Sequence, residues 1–140
     1  MTTLATKEVM LSRRDGRIIK YDLRSRKGST FLSDLAFPNG LVYEQTTHSI
    51  IFSEFTRNRI WKFSLADKQS RFLQTNLFGY VDNIKFDDHG DLLLSMVITR
   101  DYLSEFVKDK PKLRTFLMNF PEKLSMSLMK KRAGGIRIHS

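Results

Sequence analysis

Short apolar runs recur along this chain at a spacing of about 42 residues. Arg17-Ile18-Ile19-Lys20-Tyr21 returns as Arg59-Ile60-Trp61-Lys62-Phe63. Ser29-Thr30-Phe31-Leu32 returns one register off as Ser70-Arg71-Phe72-Leu73, and Ser49-Ile50-Ile51-Phe52-Ser53 answers to Asp91-Leu92-Leu93-Leu94-Ser95. Short β-rich runs between turn formers predict strands. A repeat in the low forties built from such runs predicts β-propeller blades, each a four-stranded antiparallel sheet.

The individual elements follow. Val9-Met10-Leu11 and Arg17 to Tyr21 read as a hairpin around Asp15-Gly16, because both central positions of such a turn want positive φ. Ser29 to Leu32 then forms a short outer strand after the loop Arg24 to Gly28. The second unit opens at Phe37-Pro38-Asn39-Gly40, runs through Leu41-Val42-Tyr43, and turns at Thr46-Thr47-His48. It continues through Ile50 to Phe52, Arg59 to Phe63 and Arg71 to Leu73. The third opens at Tyr80-Val81-Asp82-Asn83, gives Ile84 to Phe86, turns at Asp88-His89-Gly90 and proceeds through Leu92 to Leu94.

Past Asp101 the period changes. Leu113, Phe116, Leu117 and Phe120 fall at helical spacing; Pro121 interrupts and suits the first turn of another helix, with Leu124, Leu128 and Met129 on one face. Gly134-Gly135 ends it, and Ile136-Arg137-Ile138 is placed to begin a further strand. The expected organisation is therefore propeller blades over residues 1–100, a helical insertion over 101–133 and the start of a strand over 134–140. That amounts to about two complete blades and the inner part of a third. Rings close with about four to eight blades, so the count predicts a segment of a larger propeller.

Composition adds exclusions more than assignments. No stretch approaches the 18 or so apolar residues of a membrane-spanning helix, and Met1 to Glu8 is too polar for a signal peptide. The absence of cysteine excludes disulfides, thiolate-bound zinc and thiol catalysis. Of the net charge of +9, ten Lys/Arg against four Asp/Glu fall in residues 98–140. Neither a basic stripe with interleaved aromatics nor a known nucleic-acid module is present, so no nucleic-acid partner is expected.

Candidate chemistry sits where the repeats align. Pro38-Asn39-Gly40 and Val81-Asp82-Asn83 each immediately precede the first strand of a blade. First strands line a propeller's channel, so Asn39, Asp82 and Asn83 converge on one end of it. Their oxygens suit a hard cation such as Ca²⁺, which takes six to eight oxygen ligands. Asn-Gly and Asp-Asn are also common turn formers, and spacing alone favours that plainer role. His48 and His89 fall in predicted turns and read as solvated, His139 carries no role, and Glu54 reads as an exposed strand-end glutamate in preference to a channel-facing carboxylate. No residue is singled out as catalytic. From Leu113 to Arg132 an apolar helical face lies beside Lys123, Lys130, Lys131 and Arg132. Such a segment suits an anionic membrane surface, or a lid packed over the propeller face.

The strings Asp15 to Asp22, Phe37-Pro38-Asn39-Gly40, Ser53-Glu54, Arg59-Ile60 and Val81-Asp82-Asn83-Ile84 resemble the strictosidine synthase-like family, in particular its adipocyte plasma membrane-associated branch. The resemblance implies an all-β, six-bladed propeller related to paraoxonases and the gluconolactonase/regucalcin group. It also implies a channel calcium held partly at positions matching Asn39, Asp82 and Asn83. By the same resemblance the expected activity is calcium-dependent hydrolysis of a small-molecule carboxylic ester or lactone, of the arylesterase kind, and the expected location is membrane-associated, at endomembrane or cell surface. The alternative is a non-catalytic, membrane-associated scaffold. The amine–aldehyde condensation of strictosidine synthase itself uses a glutamate where this chain has Leu94-Ser95-Met96-Val97-Ile98, so that reaction is disfavoured.

Overall fold

The computed structural model of the protein describes residues 13–99, 110, 112–113 and 134–138. Its strands are β1 (Gly16–Asp22), β2 (Lys27–Leu35), β3 (Pro38–Glu44), β4 (Ser49–Glu54), β5 (Arg59–Ser64), β6 (Ser70–Gln74), β7 (Gly79–Phe86), β8 (Leu92–Thr99) and β9 (Gly134–Ile138). They form three antiparallel sheets in chain order: β1-β2, β3-β4-β5-β6 and β7-β8-β9. The middle sheet is one complete blade whose four strands fall where the apolar runs place them. Among the described residues it is the only complete one. β1-β2 supplies the outer pair of the preceding blade, and Val9 to Leu11, expected to pair with it, lie outside the described residues.

Turn chemistry explains the hairpins. Asp22 Oδ1 accepts the Arg24 and Ser25 backbone N–H groups at 2.8 and 3.0 Å, and Arg26 takes a positive φ of 54° to enter β2. Asp87 does the same before β8, accepting the His89 and Asp91 N–H groups at 2.9 Å each, with Gly90 at φ 86°. Asp15-Gly16 is not the hairpin turn its sequence suggests. Gly16 lies in β1 opposite Leu35, and a Cβ there would stand 2.4 Å from Pro38 Cδ. Close packing, and not turn geometry, requires that glycine.

Two apolar layers hold the sheets face to face. Leu35, Phe52 and Phe63 form the first, with Ile18, Phe31 and Trp61 packed against them, joining β1-β2 to the middle sheet. Ile51 and Ile60 meet Val81, Ile84, Leu92, Leu94 and Met96 in the second, joining the middle sheet to β7-β9. Burying each of these large side chains contributes about 1.5–3 kcal/mol. Ile136 to Ile138, expected to begin a new strand, complete β9, which pairs with β8 from Leu92↔Ile138 to Met96↔Gly134. Residues 100–133 are thus inserted between two adjacent strands of one sheet. The expected helical insertion over 101–133 lies outside the described residues, apart from Lys110 and a helical Lys112-Leu113.

Candidate functional site

The first strands of the second and third sheets carry the same irregularity. In β3, Pro38 pairs with Glu54 and Leu41 with Phe52, so one residue is extra at Asn39-Gly40. In β7, Val81 pairs with Met96 and Asn83 with Ser95, so Asp82 is extra. Bulges of this kind re-aim side chains. The candidate ligands therefore stand on strand bulges, not in loops preceding strands as their turn-forming character suggested.

The bulges also bring the two strands into contact. A Cβ at Gly40 would lie 2.8 Å from the Asp82 carbonyl oxygen and 2.7 Å from Ile84 Cγ1, so only glycine fits. The Gly40 N–H donates to Ser53 Oγ at 2.9 Å, and the buried Ser53 hydroxyl donates to the Val81 carbonyl at 3.3 Å. Through this close approach Asn39 Nδ2 donates to Asp82 Oδ1 at 2.7 Å, and Asn83 Nδ2 reaches Asp82 Oδ2 at 3.4 Å. All three residues that the sequence singles out are thus brought together.

Their chemistry fits a hard cation in kind. In the hydrogen-bonded arrangement both amides turn nitrogen toward the carboxylate; a half-rotation of each amide would present its oxygen instead. One carboxylate and two amides supply three of the six to eight oxygens calcium takes. Among the described residues no cluster of three or more His, Cys, Asp or Glu side chains occurs.

Behind the bulge of β3 stands Glu54, which is 1% exposed and not the solvated strand-end residue its position suggested. Its carboxylate accepts from Ala36 N–H at 2.7 Å, from Trp61 Nε1 at 2.5 Å and from Arg59 Nε, with which it forms an ion pair. Burial works to raise its pKa, but the bonds from Arg59, Trp61 and Ala36 prevail and hold it below the usual carboxylate range. The connection from β2 to β3 is tied down here: Phe55 N–H donates to the Phe37 carbonyl at 3.0 Å and Thr56 Oγ1 to that of Ala36 at 3.2 Å. Phe37 holds a φ of 53°, a strained conformation for a bulky residue, and its ring packs at a tilt against Phe55, whose ring packs in turn against Tyr80 of β7. The hairpin register could have revealed this network, because Phe55 to Asn58 returns the chain so that Arg59 lies opposite Glu54.

His48 and His89 are exposed in turns, as expected. His48 Nδ1 lies 2.5 Å from the Tyr43 hydroxyl, at the other end of β3 from Asn39. His139 lies outside the described residues.

A family profile described as strictosidine synthase matches residues 4–68. Over that stretch the sequence resembles strictosidine synthase. Strictosidine synthase-like protein 3 of Arabidopsis thaliana is 27% identical over 108 residues, covering 76% of this chain and 28% of its own length. The adipocyte plasma membrane-associated protein of Danio rerio is 25% identical over 116 residues, covering 78% of this chain and 28% of its own. The chain thus spans less than a third of the curated relatives it matches. Among solved structures, regucalcin of Agrobacterium tumefaciens, described as a calcium-binding protein, superposes with a TM-score of 0.51 at 16% identity. That match covers 61% of this chain and 31% of regucalcin. The likeness is one of fold, and the fold is that of β-propeller blades. Among the described residues no helix is long and apolar enough to cross a membrane.

Proposed function

We propose that this chain contributes the metal-binding corner of a propeller hydrolase acting on carboxylic esters or lactones. The observation that carries the reading is the 2.7 Å contact between Asn39 and Asp82, made by matching bulges of successive repeats. Calcium is the ion that suits Asn39, Asp82 and Asn83, and the calcium-binding description of regucalcin supports that choice. When bound, such an ion polarises a carbonyl and orients a water. The chain's own part is positional. Gly40 and Ser53 set the distance between β3 and β7, Glu54 fixes the path into β3, and Asp82 supplies the negative charge.

Hydrolysis of phenyl acetate by the protein, with and without chelator and then with Asp82→Ala, tests the reading. Activity lost in both cases supports it, and activity indifferent to both ends it. In that event the alternative gains: a non-catalytic scaffold associated with a membrane. It draws on the relatives named as plasma membrane-associated and on the basic amphipathic stretch 113–132. The amine–aldehyde condensation is the least favoured reading, since no carboxylate lies between Leu94 and Ile98.

A further inference from the structure

Glu54, Arg59 and Trp61 have no polar counterparts in the next repeat. On β4, Glu54 pairs with Pro38 and Arg59; on β8, Met96 pairs with Val81 and Gly134. Trp61 pairs with Phe52, and Ile136 with Leu94. The repeat that relates Ser53 to Ser95 therefore relates Glu54 to Met96, Arg59 to Gly134 and Trp61 to Ile136. Met96 is buried, and none of the three replacements carries a charge. The third sheet thus forms its own bulged first strand without such a network. A buried ion pair seldom outweighs apolar packing of similar volume, so the needs of a blade do not explain Glu54 and its donors.

What the network holds does explain them. Arg59 and Trp61 both donate to Glu54 Oε2, which leaves Oε1 to accept the Ala36 N–H. The next two residues of the chain, Phe55 and Thr56, bond the Phe37 and Ala36 carbonyls. Three bonds thus fix two consecutive residues, and the second of them, Phe37, is held at a φ of 53°. A bulky residue keeps that conformation only where its surroundings over-determine it. Over the described residues 77–81, which lead into the third sheet, no φ is positive. The strained entry and the charged network therefore occur together in the second repeat and are missing together from the third. Asn39 lies two residues past Phe37, on the bulge that begins at the Pro38–Glu54 pair.

We infer that Glu54, Arg59 and Trp61 are positioning residues for Asn39. They hold Phe37 in the left-handed region, and Phe37 aims the bulge so that Asn39 meets Asp82. Their role rests on the reading of Asn39 and Asp82 as calcium ligands. Calcium titration of the whole chain by isothermal calorimetry, beside urea unfolding, tests it. Glu54→Met combined with Arg59→Leu removes both charges at once and installs the third sheet's residue at position 54. The urea midpoint should stay near the native one, since no lone buried charge is left behind. Calcium affinity should nonetheless fall on the order of tenfold, as it does for Asn39→Ala. With Asn39→Ala already present, the same replacement should change affinity by less than about twofold, because both act through one ligand. With Asn83→Ala present, where the altered ligand stands on β7, the two losses should multiply. A native affinity, or a loss that multiplies with that of Asn39→Ala, overturns the positioning role and leaves the metal site standing. No calcium binding by the native chain, or binding that survives Asp82→Ala, overturns the metal site and the positioning role with it. Should the double replacement lose its circular-dichroism strand signal, Glu54→Gln enters the same cycle and is judged by the same outcomes.

Discussion

Asn39 and Asp82 lie 43 residues apart in sequence and 2.7 Å apart in space. Neither owes this to its own conformational preference. Each stands on a bulge in the first strand of its sheet, and the two strands meet because Gly40 allows the Asp82 carbonyl to approach where a side chain would stand. The repeat in the sequence thus becomes a juxtaposition of polar groups through one missing Cβ.

Gly40→Ala should separate β3 from β7. The added methyl meets backbone at 2.8 Å, which cannot move aside as a flexible side chain would. A loss of about 1–3 kcal/mol in urea unfolding is expected, the usual cost of overpacking. Ser53→Ala, which removes the buried hydroxyl but adds nothing, should cost about 1 kcal/mol. Equal stability of Gly40→Ala and the native protein would mean the strands are not in contact.

Glu54→Gln should destabilise by about 2 kcal/mol at neutral pH, because Arg59 and Ala36 lose a charged acceptor. The effect should depend on pH. With its folded-state pKa held below the ordinary 4.5, Glu54 stabilises fully above that value, and the contribution fades as pH falls through the lowered one. The difference between native and Glu54→Gln unfolding free energies should therefore shrink as pH drops from 6 toward 3. A constant difference would show that the fold does not lower the pKa of Glu54.

Trp61 is the sole tryptophan and reports on the same network. It donates to Glu54 while its ring lies 4.0 Å from that of Phe72, with Arg59 above both rings. Trp61→Phe keeps an aromatic ring but leaves Glu54 one donor short, so a cost of about 1 kcal/mol is expected. In the Glu54→Gln protein the intrinsic fluorescence should shift, and an unaltered emission maximum would place the indole outside the network.

The sequence carried much of this architecture. The spacing from Arg17 to Arg59 and from Ser53 to Ser95 marks equivalent strands, and the middle sheet forms where it predicts. Other features needed pairing information. Asp15-Gly16 has the composition of a hairpin turn, but Pro38, 22 residues after Gly16, claims the space above the glycine. Glu54 reads as a surface residue until the register sets Arg59 opposite it and Trp61 within reach. Asn39 and Asp82-Asn83 were visible as aligned polar residues. That they sit on bulges was not, because a bulge is a mismatch between two strands and belongs to neither alone.

The most direct measurement is calcium titration of the protein by isothermal calorimetry, comparing native with Asp82→Ala and Asn39→Ala, and with Glu44→Ala as a control at the far end of β3. One calcium per chain is predicted for the native protein. Asp82→Ala should abolish binding, Asn39→Ala should weaken it on the order of tenfold, and Glu44→Ala should leave it unchanged. Absence of binding to the native chain, or binding that survives Asp82→Ala, would contradict the assignment of this corner as a metal site.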